Sequence, residues 1–427
     1  MRLGLLGCGN VGSSLVKLIF ENQSSIKEKS GESIELAAIV IRDPKAFRPS
    51  WIPKELLTTD AMSVINDPEI DVIVEVMGGI HPAKEYVEAS LMAKKSVITA
   101  NKALLAESYF ELEELADSVG RDIFFEAAVA GGIPLIRSLR VSLAGEKLKR
   151  VIGIVNGTTN FILTRMDEEG LSYDVALELA RQLGYAEADP RADIEGTDAA
   201  SKAAILASIA FGKKVRFKDV SREGITKVTA TDFEFARRHG YTIKLLALCE
   251  RLFEDEEYLD VRVFPALVPK THPLASVRDA FNAIFVEGDA VGELMFYGRG
   301  AGGSPTASAV LGDIMDAAHN LRFGSTERRI ERKDVVMAPT ERLSGSFLLA
   351  VDVNDAPGVL AQVATVFGEN NVSINSMEQL GYMNQARLIF LTHDSLEQDV
   401  KNTLAKLEEL DCVRSLRQAM RVLTEED

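Results

Sequence analysis

Over the first 130 positions, apolar-rich runs alternate with amphipathic stretches. Residues 3–7, 34–41, 71–77, 96–99 and 122–126 are apolar nearly throughout, as strands buried on both faces require. Between them, residues 11–20, 82–95 and 109–119 repeat apolar positions at helical spacing. This alternation predicts a parallel sheet covered by helices, a doubly wound α/β unit.

The rhythm changes from residue 133. Strands are predicted at 151–155, 241–249, 259–265 and 293–297, with helices at 173–183 and 198–211, giving a mixed α+β second unit. A glycine-rich stretch at 298–303 precedes a helix of small residues at 305–320, which is expected to return to the first unit. Charges crowd positions 327–333 and Pro339 follows, the composition of a linker. Beyond it come a strand (347–353), a turn (354–358), a helix (359–370), two strands (372–379 and 386–391), a helix (396–410) and a strand (413–422). The βαββαβ order implies a ferredoxin-like antiparallel sheet backed by two helices. The expected domains are 1–132 with 305–325 returning to it, 133–304, a linker at 326–343, and 344–427.

At 427 residues the chain exceeds what one core holds, and 46% hydrophobic with 26% charged residues is an ordinary globular composition. A net charge of −16, with bases interspersed among acids, argues against nucleic acid as a partner. The five histidines form no metal-binding spacing, and Cys8, Cys249 and Cys412 form no redox or zinc motif. The first strand starts at Arg2 and no run of about 18 apolar residues occurs, so no membrane association and a cytoplasmic location are expected.

Gly7-Cys8-Gly9-Asn10-Val11-Gly12 is a complete G-x-G-x-x-G between an apolar strand and a helix-forming run. Its glycines serve the tight turn, the approach of a pyrophosphate and helix–strand packing, so Gly7, Gly9, Asn10, Val11 and Gly12 are assigned to a dinucleotide. The second strand ends in Arg42-Asp43, where an acid would take the ribose hydroxyls of NAD(H). Arg42 favours the 2′-phosphate of NADP(H), Asp43 keeps NAD(H) open, and a solvated strand-end charge is the plain alternative for Arg42. Thr99 and Lys102, at the carboxyl end of the fourth strand on the ligand-binding edge of the sheet, are assigned to the cofactor.

Asp198 and Lys202 stand four apart on a predicted helix, usually the mark of a surface ion pair. Here Ile205, Leu206 and Ile209 share their face, and Ala200, Ala203, Ala204 and Ala207 form the opposite one. A helix without a hydrophilic side is buried, so the pair is expected to be buried and the lysine to lose proton affinity. Such a lysine can exchange protons near neutral pH.

The stretches 126–134, 153–160 and 183–190, together with Asp193, Gly196, Asp198–Lys202 and 298–306, closely resemble the signatures of homoserine dehydrogenases. The resemblance implies hydride transfer between NAD(P)H and the C4 carbon of aspartate semialdehyde, a step of threonine, methionine and isoleucine biosynthesis. It further implies that Lys202 is the acid–base group, that Asp198 orients it and contacts substrate, and that Lys102 is a secondary lysine. Glu187 would bind the substrate amino group, with Asp193, Thr158 and Tyr185 beside it. Gly184 and Gly302 would border the cofactor, and Glu126, Val129, Gly131 and Ile133 would offer carbonyls to a monovalent cation, Na+ or K+. Plain alternatives stand beside these: Thr158 and Thr159 as helix caps, and 300–303 as a hinge.

The turn Asp355-Ala356-Pro357-Gly358-Val359-Leu360 in its βαββαβ frame resembles the ACT domain. That resemblance implies an effector loop at Asp355, Gly358, Val359 and Leu360, helped by Asn375, with L-threonine the natural ligand, and edge-to-edge association into a homodimer or homotetramer. A purely dimerising module is the alternative. Two rival functions remain. A semialdehyde dehydrogenase acting through a cysteine thioester would need a reactive cysteine, and Cys249 lies in an apolar strand; a catalytically silent sensor would not need Glu187, Asp198 and Lys202.

Overall fold

The computed structural model describes residues 1–252, 258–326, 332–382, 385–417 and 419–423. Much of the charged stretch of the expected linker, 327–331, lies outside the described residues. Six parallel strands lie side by side in the order Leu57–Thr58, Glu35–Val40, Arg2–Leu6, Val72–Glu75, Ser96–Thr99 and Ile123–Phe124. The order reverses between Arg2–Leu6 and Val72–Glu75, and a crevice opens at the carboxyl ends of such strands.

Two differences from the expected elements matter for the site. The helix expected at 109–119 begins at Lys102, because the Asn101 side chain accepts the Leu104 N–H at 3.2 Å and caps it. The strand expected at 122–126 shrinks to Ile123–Phe124, and Glu126 opens a single tight turn whose first N–H donates to Asp313 at 2.9 Å. The helix Gly303–Phe323 lies on the first helix, Asn10–Glu21, where Ala307, Val310, Ile314 and Ala317 share a core with Leu15, Val16 and Ile19. The periodicity gave no sign of the edge strand Leu57–Thr58 or the helix Ala61–Asn66, both too short to carry a period.

A second sheet runs Gly292–Arg299, Phe281–Gly288, Leu148–Ile154, Tyr241–Leu252 and Tyr258–Pro269, each antiparallel to its neighbour. Helices Gly157–Glu169 and Thr197–Phe211 pack their apolar residues into its core. The C-terminal unit has the expected βαββαβ order, with helices Val359–Glu369 and Glu397–Glu408 covering Ser344–Asn354, Gln385–Thr392 and Ile374–Tyr382.

The expected last strand, 413–422, is instead divided into Val413–Leu416 and Met420–Val422. The latter pairs with Ser346–Leu348 on one side and, in parallel, with Ala266 and Leu267 on the other. The two sheets are thereby one. Val336–Met337 adds to the same strand, pairing with Tyr258 and Leu259.

A charged seam lies along this junction. Arg262 bridges Asp260 and Glu397, Arg421 also pairs with Glu397, and both guanidiniums lie over the ring of Phe264. Asp260 and Arg262 are buried, so each charge depends on its partners. Arg421→Ala is therefore expected to destabilise the whole chain by on the order of 3 kcal/mol, the scale for breaking a buried ion pair. Thermal unfolding followed by calorimetry checks this, and an unchanged Tm would show that the seam does not hold the two sheets together.

Candidate functional site

The glycine turn at the end of the first strand is shaped for a dinucleotide. Gly7 has φ +105°, and a Cβ there would sit 2.9 Å from the Val76 carbonyl oxygen. A Cβ on Gly12 would collide with the Gly7 carbonyl, whereas nothing lies within 4 Å of the Cβ position of Gly9. The open face is thus above the second glycine, where the amides starting the helix at Asn10 and Val11 meet a pyrophosphate. The residues present fit a dinucleotide.

At the rim, Arg42 is exposed, while the Asp43 carboxylate closes its own turn by accepting the Lys45 N–H at 2.8 Å. Arg48, which the sequence reading missed, donates to the Asp43 carbonyl at 2.7 Å and also reaches Cys8, partly offsetting the upward push of burial on that thiol. Two guanidiniums therefore stand where one was expected.

Glu75, also missed, is wholly buried at the end of its strand. It accepts the Met77 N–H at 2.7 Å and the Thr99 hydroxyl at 2.6 Å, and burial pushes its carboxyl upward. The hydroxyl of Thr99 is thus turned into the protein, and the residue is wholly buried. An acid inside an otherwise apolar strand was the available signal.

A charged cluster forms where the helix Thr197–Phe211 meets the nucleotide unit. Asp198 and Lys202, on Thr197–Phe211, are both buried as the apolar pattern predicts. Lys202 Nζ donates to Asp198 Oδ2 at 2.7 Å and to the Val155 carbonyl at 2.6 Å. Lys102, the first residue of its helix, places Nζ 2.5 Å from Asp198 Oδ1 and leaves half of its side chain exposed. Asn156 Nδ2 donates to Asp198 Oδ2 at 2.9 Å and to Asp193 Oδ1 at 2.6 Å, while its Oδ1 caps the helix Gly157–Glu169. Asn156 stands inside one of the motifs quoted above, and its signal was the Asn-Gly-Thr-Thr start of a helix.

The electrostatics follow from this arrangement. Burial lowers the proton affinity of Lys202, and Asp198 restores only part of it. Burial alone would raise Asp198, yet Lys202 and Lys102 hold it well below the usual carboxylate range. Burial also opposes the charge of Lys102, but Asp198, Asp193 and Glu187 outweigh it and raise its affinity. An ammonium has three N–H groups, so Lys202, with two engaged, retains one for a ligand oxygen.

Around this cluster, Glu187 is exposed and near enough to act on Lys102. Tyr185 packs on Phe161 with ring centroids 4.7 Å apart, and its carbonyl accepts the Thr158 hydroxyl at 2.8 Å. Thr158 is therefore a tether to Tyr185 rather than a helix cap. Gly184 takes φ +77° in the same turn. Gly302, at φ +124°, precedes Gly303, whose Cβ would lie 3.0 Å from the Asn10 carbonyl oxygen. The carboxylate of Glu126 is consumed by the amides of Ile136 and Arg137, each at 2.8 Å, so only its carbonyl remains for a cation. Ala130 and Gly131 both have positive φ beside Val129, and the Ile133 carbonyl already accepts the Leu135 N–H at 2.8 Å.

In the C-terminal unit, Gly358 (φ +87°) turns the chain into its helix, with Val359 buried and Leu360 half-exposed. A Cβ on Gly381 would lie 3.8 Å from Asp355 Oδ2, so Asp355 sits beside the end of the strand Ile374–Tyr382. Asn375 is at the far end of that strand, about 20 Å away at strand rise, and faces His393. The structure thus does not bring Asn375 to the Asp355–Leu360 loop within one chain, a correction to the expected effector set. Cys249 is buried with its thiol pushed upward by desolvation, which removes the thioester alternative.

Comparison with known proteins agrees with this geometry. Residues 134–315 match the family model described as homoserine dehydrogenase, 7–126 its NAD-binding domain, and 347–412 the ACT domain. The chain is 46% identical to the homoserine dehydrogenase of Corynebacterium glutamicum over 98% of its own length and 95% of that protein's. A crystal structure of the homoserine dehydrogenase from Thiobacillus denitrificans superposes with a TM-score of 0.94 at 38% identity, covering 99% of this chain and 98% of that one. A hyperthermophilic archaeal homoserine dehydrogenase solved in complex with NADPH gives a TM-score of 0.63 at 29% identity, over 77% of this chain and 99% of that one. A nucleotide turn, a buried lysine held by one aspartate, and full-length likeness converge, and the chain belongs to the homoserine dehydrogenase family, with an ACT domain at its C-terminal end.

Proposed function

We propose that Lys202 is the acid–base group in the reversible reduction of L-aspartate 4-semialdehyde to L-homoserine, an assignment carried by its buried ammonium with one N–H uncommitted. A bound reduced nicotinamide supplies the hydride to C4. Lys202 donates its free proton to the oxygen that becomes the hydroxyl, and Asp198 keeps that Nζ in place. Lys102 turns a second positive charge to the same oxygen. Glu187 and Asp193 take the substrate ammonium, and Thr158, beside Tyr185 at the start of the helix Gly157–Glu169, meets its carboxylate. In the reverse direction neutral Lys202 removes the proton.

The finer assignments rest on placement. Two arginines at the rim, Arg42 and Arg48, favour NADP(H) over NAD(H). Gly184 and Gly302 border the cofactor. The carbonyls of Glu126, Val129, Gly131 and Ile133 suit Na+ or K+. The free helix start at Gly358–Leu360 with Asp355 suits the two charged ends of an amino acid, and we take L-threonine as the effector; Asn375 is outside that ligand set in a single chain. The edge strand Ile374–Tyr382 is the surface for a homodimer or homotetramer. Three free cysteines, and no helix among the described residues long and apolar enough to cross a membrane, support a cytoplasmic setting.

Lys202→Ala should lower turnover by at least about 100-fold, the scale for losing a general acid, with nucleotide affinity nearly unchanged. Initial rates with aspartate semialdehyde test it, and near-normal turnover in a folded variant refutes the role. Arg42→Ala should weaken NADPH more than NADH by roughly 1–3 kcal/mol. If the two nucleotides respond equally in a fluorescence titration, Arg42 is only a surface charge.

A further inference from the structure

Asn282, on the strand Phe281–Gly288, is 1% exposed, and neither its Nδ2 nor its Oδ1 has a hydrogen-bond partner among the described residues. The next four residues along the strand, Ala283, Ile284, Phe285 and Val286, are buried and apolar. An amide left unpaired in such surroundings is costly, and an apolar side chain would serve the core better. Asn160, near by, shows the contrast: its Nδ2 reaches the carbonyls of Val277, Asp279 and Phe281 at 3.3, 3.0 and 3.2 Å.

What Asn282 touches suggests its use. A Cβ on Gly300 would fall within the Asn282 amide, so that amide lies flat against the glycine. The other side of Gly300 presses its carbonyl on Gly131, where a Cβ would also collide. Three residues on, Gly303 abuts Asn10 in the nucleotide-binding turn. The segment 300–303, with three glycines in four residues, therefore runs from the unpaired amide to the cofactor cleft.

We propose that Asn282 is a positioning residue for the nucleotide: when the cofactor is bound, the 300–303 loop settles so that its backbone takes the donor and the acceptor of the Asn282 amide. The unpaired amide is thus a cost of the free enzyme that is relieved in the complex. Binding then favours the arrangement in which those bonds form. This rests on the loop bordering the cofactor, as in the function proposed above.

The test uses the full chain with NADPH, or with NADH if wild type binds that instead. Asn282→Leu replaces the amide by an apolar group of similar volume. Its Tm without nucleotide should hold or rise, while Kd for the nucleotide weakens about tenfold, the scale for two hydrogen bonds. kcat/KM should fall in step, with kcat at saturating nucleotide little changed. Asn282→Ala, which cannot overfill the site, should show the same loss of affinity. An unchanged Kd in either folded variant overturns the proposal. So does a failure of both variants to fold, because the amide would then already be bonded in the free protein. Wild type binding neither nucleotide would instead sink the underlying cofactor reading.

Discussion

A single buried carboxylate, Asp198, held between two lysines, is the constraint on which the site depends. It meets Lys202 from its own helix and Lys102 from the first residue of a helix in the nucleotide unit. A buried charge without partners is prohibitively costly, so this triad favours one apposition of the two units. The same contact that closes the cleft tunes the lysine: burial lowers the proton affinity of Lys202, and Asp198 limits the fall. Asn156 then ties Asp193 into the network, so the acids around Lys102 share one scaffold.

The ACT domain is built on similar terms. It is joined to the catalytic sheet through Met420–Val422, and the charges of Arg262, Glu397 and Arg421 interlock across the junction. Removing everything after Pro339 would bare the edge of Tyr258–Pro269 as well as deleting the ACT domain. The junction lies close in the fold to the helix of Asp198 and Lys202. Tyr258–Pro269 pairs with Tyr241–Leu252, whose Cys249 thiol lies 3.5 Å from the Ala203 carbonyl, next to Lys202.

Legibility followed the range of the interactions. The glycine turn, the all-apolar helix of Asp198 and Lys202, and the βαββαβ order were readable because local pattern dictates them. Asn101 and Asn156 cap helices, and Asn before a helix start is itself a local signal. Lys102 meeting Asp198, Glu75 turning Thr99 inward, Arg48 joining Arg42 and the fusion of two sheets by three C-terminal residues are long-range pairings that periodicity does not encode. Asn375 was grouped with the Asp355 loop by analogy, and strand geometry separates them.

The central claim is that burial opposed by Asp198 sets the proton affinity of Lys202. Its most direct test is an NMR titration of the Lys202 side chain in the full chain and in Asp198→Asn. The account predicts that Lys202 titrates below the ordinary lysine value of about 10.4, and lower again in the variant, where the supporting carboxylate is gone. Titration at or above the ordinary value, or a value indifferent to Asp198→Asn, would contradict it.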